Sequence, residues 1–204
     1  MNKNQQRIAK EEADKLMAIP GNVRGAVILA DLEYARRKGG IEVIKKIKER
    51  LKELGYPVDV EEIKPMEKYP EALSVLIILL VKEVLNLTDE EIFEMGGAAI
   101  KLSPFIKILT KYFVSAKRIF EESPKYWEKY FDFGKMEPIE FNGKEGYTIL
   151  RVIGYKFHPI ICIYHKGYFT QVARIATGKK VIKIEETKCV YRGDPYHEYF
   201  VSWK

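Results

Sequence analysis

The segment from residue 71 to 86 is apolar on nearly all sides, and it constrains the fold more than any other feature. Its strongest run, Leu76 to Val81, is flanked by Ser74 and Lys82. A helix that is apolar all round is either buried in a domain or spans a membrane, and a span needs about 20 apolar residues. Because the run is far shorter, the segment predicts a buried central helix and no membrane span.

Helical patterns surround this segment. Residues 24–37 predict a first helix that ends at Gly39-Gly40. Apolar residues at steps of three and four predict an amphipathic helix over 41–54, with Gly55 as its stop. That helix would bury the apolar residues Ile41, Ile44, Ile47, Leu51 and Leu54.

Helix start signals follow. Thr88 with Glu91 forms a capping box, in which each residue bonds the main chain of the other. A serine directly before a proline, at Ser103 and again at Ser123, predicts two further helix starts with serine as the cap.

The pattern changes beyond Gly134. Residues 137–142 and 147–153 surround Asn142-Gly143 and predict a hairpin. A helix is predicted over 158–177, and two strands then flank a turn near the end of the chain. The fold class is therefore α+β, with an N-terminal helical half packed on a small antiparallel sheet that has one inserted helix.

A chain of 204 residues is one large domain or a domain with appendages. Residues 1–20 are predicted to be an N-terminal helical appendage, and residues 21–204 a ligand-binding α+β domain. The net charge is +6, but 35 Lys+Arg are interleaved with 29 Asp+Glu, which argues against a nucleic-acid partner. Abundant lysine and glutamate fit a thermophile. The polar N-terminus has no signal-peptide core, so a cytoplasmic location is predicted.

Four metal-donor side chains lie in the last part of the chain. They are Cys162, Glu186, Cys189 and His197, and the turn Arg192-Gly193-Asp194-Pro195 separates the last two. Thiolate, imidazole and carboxylate are the donors that zinc takes, and four filled positions would make the site structural rather than catalytic.

Two alternatives stay open at this stage. The cysteines could be small buried hydrophobic residues, with the histidine capping a turn. A one-residue slip of the strand would put Glu185 in the place of Glu186. The other two histidines, His158 and His165, are taken as surface residues.

The C-terminal order of strand, strand, helix, strand, turn and strand, with these donors, resembles the 4-vinyl-reductase-type domain. That domain is related to the heme-NO-binding domain and to Bet3-like subunits of vesicle-tethering complexes. The related domain of phenol-sensing bacterial regulators binds zinc through Glu-x2-Cys-x7-Cys and a cysteine about two dozen residues upstream. The matching residues here are Glu186, Cys189, His197 in place of the last cysteine, and Cys162.

The resemblance implies a non-enzymatic sensor that holds a small hydrophobic ligand, aromatic or acyl, in a cavity between the helices and the sheet. No catalytic constellation is visible. A homodimer and a separate output partner are also implied, since no output motif is present. The alternative is an interaction module that dimerises without reversible ligand binding. The residues expected at the cavity are Phe105, Leu109, Phe113, Trp127, Tyr130 and Phe131. Core packing is the better explanation for any single one of them, but as a group they flank the expected cavity, so some should contact a ligand.

Zinc is the predicted cofactor, and heme is argued against. The heme-NO-binding relatives need an axial histidine in the middle of the domain. No histidine lies between residues 71 and 133, and the Tyr-x-Ser-x-Arg pattern that binds the heme propionates is absent.

Overall fold

The computed structural model describes residues 7–102 and 115–204, and its elements are numbered here within those ranges. The helices are α1 (Lys10–Met17), α2 (Gly25–Glu53), α3 (Glu71–Leu85), α4 (Asp89–Leu102), α5 (Ala116–Glu121), α6 (Ser123–Tyr130) and α7 (Ile160–Thr177). The strands are β1 (Asn22–Arg24), β2 (Lys68–Pro70), β3 (Lys135–Asn142), β4 (Tyr147–Ile153), β5 (Ile182–Lys188) and β6 (His197–Trp203). The predicted α+β class, with one helix inserted in a small sheet, is confirmed.

The main sheet is antiparallel, with strand order β3-β4-β6-β5. Strand β6 lies in the centre, with Val152 of β4 opposite His197 and Glu186 of β5 opposite Tyr199. The predicted pairing of the last two strands is confirmed. The ribbon of β1 and β2 was not predicted from the sequence, because each strand has only three residues and β2 ends in a proline.

Helix α3 is the predicted central helix. Every residue from Glu71 to Val81 is buried. The helix ends at Asn86, whose φ of 52° is the left-handed conformation that terminates helices. Burial of this apolar stretch anchors the single large core that the two halves share.

Helix α2 contains the predicted break. Gly40 has the non-helical values φ 73° and ψ −170°, so α2 consists of two helical segments joined by a kink, and the second segment continues to Glu53. Glycine tolerates this conformation, because it has no side chain to clash with the main chain. Of the five apolar residues predicted to be buried after this glycine, four are buried. The exception is Ile41, directly after the kink, whose side chain is 47% exposed.

Helices α4 and α7 cross at glycines. A Cβ atom on Gly96 would lie 2.0 Å from the main-chain oxygen of Tyr164, and one on Gly167 would lie 1.8 Å from that of Phe93. Both distances are far below van der Waals contact. The missing side chains therefore let the two backbones touch, and this contact fixes the position of α7.

The helix caps follow the sequence only in part. Thr88 and Glu91 form the predicted capping box. The helix start predicted at Ser123-Pro124 is confirmed, but the capping role of Ser123 was wrong. Glu122 keeps helical dihedral angles, so α6 follows α5 with no extended cap residue, and among the described residues the Ser123 hydroxyl has no partner. The cap in this region is Ser115, which accepts a hydrogen bond from the Arg118 main chain. Ser103 lies outside the described residues.

The N-terminal helix packs against the rest of the fold. Ala13 and Leu16 of α1 are buried in the common core, and the Ile8 main chain donates a hydrogen bond of 2.7 Å to Glu83. The division of the chain at residue 20 stays a prediction. Within 7–102 and 115–204, none of the helices combines the length and the apolarity that crossing a membrane requires.

Candidate metal centre and apolar cavity

The structure brings the four predicted donors together. One ligand atom from each of Cys162, Glu186, Cys189 and His197 lies within 4.8 Å of all the others. The two sulfur atoms are 3.5 Å apart, and the Cys162 sulfur is 3.9 Å from His197 Nδ1. These four residues are called the donor cluster below. No other group of three or more such donors occurs in the part of the chain that the structure describes.

Three of the four donors lie on regular elements, and the fourth lies in a loop. Glu186 comes from β5, His197 begins β6, and Cys162 lies in the first turn of α7. Cys189 follows β5, and a tight loop holds it in place: its main-chain N–H donates to Asp194 over 2.8 Å. Glu185, the alternative to Glu186, is exposed and alternates to the other face of the strand, so it does not join the cluster.

His197 is oriented by the fold. Its Nε2 lies 2.9 Å from the main-chain oxygen of Tyr155, and because a carbonyl only accepts, Nε2 must donate. Its Nδ1 lies 2.8 Å from the carboxylate of Glu186, so these two atoms must share a proton unless a metal ion takes the place of that proton. Histidines that bind metals are commonly oriented by such a bond from the other ring nitrogen.

The electrostatics of the donor cluster favour a cation. Burial and the negative charge of Glu186 raise the pKa of the Cys162 thiol. Burial works to raise the pKa of Glu186, but hydrogen bonds from His197 and Cys162 outweigh it and hold that pKa below its ordinary value. Two thiols, a carboxylate and an imidazole nitrogen therefore share a small space, and a divalent metal ion would stabilise the deprotonated forms of these donors.

Two buried acids lie behind the cluster. Tyr155 donates its hydroxyl to Glu71 at the start of α3, and Tyr164 donates to Asp31 of α2 over 2.7 Å. Burial raises the pKa of Asp31 to about 7 and that of Glu71 to about 8. Both carboxyl groups therefore stay protonated in the folded protein at pH values at which they would be ionised in water.

An apolar cavity of about 170 Å³ lies between α2, the α5–α6 segment, α7 and the sheet. Its wall combines small residues of α2, apolar residues of the sheet and aromatic rings of α6 and α7. Representative members are Ala26, Ala30, Ile119, Leu150, Tyr168 and Val201.

The predicted ligand-binding residues divide into two groups. The structure has Trp127, Tyr130 and Phe131 on the cavity wall. The other three, Phe105, Leu109 and Phe113, lie outside the described residues. Contact of any of the six with a ligand stays a prediction.

Sequence reasoning missed His165. It lines the cavity and is buried, and burial, with a smaller contribution from the neighbouring His197, lowers its pKa to about 3, so the His165 imidazole is neutral. Its helical neighbours Ile161 and Phe169, four residues to either side, are apolar and could have indicated an inward face. His158 is half-buried, with Nε2 3.5 Å from Glu12.

Comparison with known proteins identifies the fold. No protein-family model matches the chain, and no curated protein sequence matches it. Among solved structures, an H-NOX protein from Shewanella oneidensis in the Fe(II)NO state has a TM-score of 0.67 at 13% identity, over 89% of this chain and 99% of that chain. An oxygen-binding H-NOX domain related to soluble guanylate cyclases has a TM-score of 0.60 at 14% identity, over 89% and 95%. At these identities the likeness establishes the fold.

Two sequence-based conclusions require correction. The likeness supports the heme-NO-binding relationship but not the 4-vinyl-reductase type. The choice of zinc as cofactor and the argument against heme are contradicted, because the matched structures include a study of heme distortion in the H-NOX family and proteins with Fe(II). No histidine lies between residues 71 and 133, but His165, predicted to be a surface residue, lies on α7 at the cavity wall.

Proposed function

We propose that this chain is a non-enzymatic sensor domain that binds a small molecule in the apolar cavity. The observation that carries this proposal is the cavity itself, enclosed where the helical half meets the sheet and α7. Its wall is almost wholly apolar, which suits a ligand that transfers out of water by the hydrophobic effect. The fold shared with an oxygen-binding H-NOX domain supports the same role.

The size of the cavity limits the ligand. An engineered apolar cavity of about 150 Å³ holds benzene, whereas pockets for drug-sized ligands are about 300–1,000 Å³. A cavity of about 170 Å³ therefore suits a single aromatic ring or a short branched chain. Trp127 and Phe131, whose rings stack with centroids 4.3 Å apart, would form one side of the binding site.

Toluene is the first probe for this proposal. We expect it to raise the melting temperature of the wild-type protein and to be retained in native mass spectrometry. Ala173→Leu extends a larger side chain from the wall into the cavity and should abolish both the rise in melting temperature and the retention of toluene. Arg174→Leu changes the neighbouring exposed position of α7 and should leave both unchanged. The absence of binding by toluene and by aliphatic probes of equal volume would refute the proposal.

Heme is a second candidate ligand, favoured by His165. A neutral imidazole is an axial donor that heme iron takes, and of the chain's three histidines only His165 lines the cavity described here. The His165 imidazole suits heme iron, but a cavity of about 170 Å³ is too small for a porphyrin, so heme binding would require the cavity wall to open. Bound heme would supply an iron atom that can take a diatomic gas.

Hemin titration followed by absorption spectroscopy tests this candidate. Wild-type protein should give the sharpened Soret band of histidine-ligated heme, His165→Ala should lose it, and His158→Ala should keep it. An identical spectrum for wild type and His165→Ala would exclude His165 as the iron ligand.

We also propose that the donor cluster binds one divalent transition-metal ion with a structural role. Four protein donors leave no open position for a reacting water, so the ion would hold together the end of β5, the start of β6 and α7. This proposal concerns a structural ion only and is independent of the cavity ligand.

The remaining predictions concern the organisation of the chain. We propose that residues 21–204 form the binding domain and that residues 1–20 are an addition packed on it. A homodimer and a separate output partner would carry the signal. Sedimentation of the protein with and without its cavity ligand would test the dimer.

A further inference from the structure

Within the part of the cavity wall that the structure describes, two residues have buried polar atoms without a partner. These atoms are Oγ of Ser123 and Nδ1 of His165. Other polar groups on the same wall are satisfied within the protein: Thr148 and Thr177 donate to main-chain carbonyls, and Tyr164 donates to a buried carboxylate. The two orphan groups come from opposite sides, one from α6 and one from α7.

Neither residue has a structural role that would explain its polar atom. Ser123 stands at a helix start but does not cap it. His165 is packed among aromatic rings, with ring centroids 5.0 Å from Tyr155 and 5.6 Å from Phe169. A buried polar group without a hydrogen bond costs free energy, whereas an apolar residue of similar shape would not. Such groups in folded proteins are normally satisfied by a ligand or by ordered water.

We propose that Ser123 and His165 are the polar recognition groups of the cavity, and that its ligand is an apolar ring bearing hydroxyl groups. A hydroxyl can donate and accept, so it can satisfy a serine hydroxyl as well as either nitrogen of a neutral imidazole. The apolar wall would bind the body of the ligand, and the two polar residues would select among molecules of equal size. This inference rests on the cavity being the binding site.

Paired probes of nearly equal size test the inference. The dissociation constants of toluene and benzyl alcohol are measured by calorimetry, and their ratio reports recognition of the hydroxyl group. We expect Ser123→Ala and His165→Phe each to weaken benzyl alcohol binding five- to a hundredfold while toluene binding stays within about twofold. His165→Gln, which retains hydrogen-bonding groups, should restore part of the loss.

Controls separate this inference from the proposed function. Thr148→Val removes a hydroxyl that the protein already satisfies and should leave the ratio unchanged. Circular dichroism and melting curves establish that each variant is folded, and Ser123→Ala keeps the test decisive if His165→Phe does not fold. An unchanged ratio in a folded variant overturns the assignment of that residue. If toluene binds the wild type and both variants bind benzyl alcohol as tightly as the wild type does, only the assignment of Ser123 and His165 as recognition groups is wrong. If the wild type binds neither toluene nor benzyl alcohol, the proposed function itself fails.

Discussion

His197 donates its Nε2 proton to the main-chain oxygen of Tyr155 over 2.9 Å. This bond connects the donor cluster to the helical half, because the hydroxyl of the same Tyr155 is bonded to Glu71, the first residue of α3. The last strand and the central helix are thus joined through a single tyrosine. Tyr155 therefore contacts both the donor cluster, through its main-chain oxygen, and the buried acid Glu71, through its hydroxyl.

The structural metal proposal predicts a difference between two adjacent glutamates. Glu186→Gln replaces a donor and should lower the metal content of the purified protein from close to one ion per chain, together with its melting temperature, because metal binding and folding are coupled. Glu185→Gln changes the exposed neighbour and should alter neither quantity. Elemental analysis and thermal melting measure both, and Cys189→Ser should behave like Glu186→Gln. Equal metal content in the two glutamate variants would contradict the site.

The buried acids predict that stability falls as pH rises through neutrality. Folding raises the pKa of Asp31 to about 7 and of Glu71 to about 8, so the unfolded chain releases these protons first. The contribution of these two protons to the free energy of unfolding is complete below pH about 4. It is lost as the pH rises through about 7 for Asp31 and about 8 for Glu71. Each shift corresponds to roughly 4 kcal/mol, at about 1.4 kcal/mol per pKa unit.

Urea unfolding between pH 5.5 and 9 measures this dependence. Asp31→Asn keeps an acceptor for Tyr164 but cannot ionise, so the slope of unfolding free energy against pH should be shallower than in the wild type. Asp132→Asn is the control, because hydrogen bonds from Asn22 lower the pKa of Asp132 to about 2 and it stays ionised throughout this range. Parallel slopes for wild type and Asp31→Asn would show that Asp31 does not take up a proton on folding.

The sequence predicted regular elements better than it predicted sites. A segment that is apolar on nearly all sides identified α3, and the alternation of apolar and charged residues after Val181 identified the strand that pairs with the last run. The position of His165 could not be read with equal certainty, because the burial of one helix face depends on the element that covers it. The serine-proline pair at Ser123 marked the start of α6 correctly, but the capping role failed because a cap residue needs an extended backbone, and the chain enters α6 through Glu122 in a helical conformation.

The crossing of α4 and α7 predicts unequal effects at neighbouring glycines. Gly96→Ala would put a Cβ atom 2.0 Å from the Tyr164 main-chain oxygen, so the helices must separate, and we expect a loss of roughly 3 kcal/mol or more in unfolding free energy. Gly97→Ala places its Cβ 3.3 Å from the Gly167 oxygen, which a small shift accommodates, and it should cost less than about 1 kcal/mol. Chemical denaturation of the two variants compares them directly, and equal losses would argue against close backbone contact.

The two serines of the α5–α6 segment predict a second contrast. Ser115 accepts a hydrogen bond from the Arg118 main chain, so Ser115→Ala should cost about 1 kcal/mol as the helix loses its cap. Ser123 has no such bond, and in the absence of a ligand Ser123→Ala should be neutral or slightly stabilising, because it removes a buried hydroxyl that pairs with nothing. Urea denaturation of the ligand-free protein distinguishes the two cases. A loss at Ser123 as large as that at Ser115 would mean that its hydroxyl is already satisfied within the fold, and it would then be unavailable to a ligand.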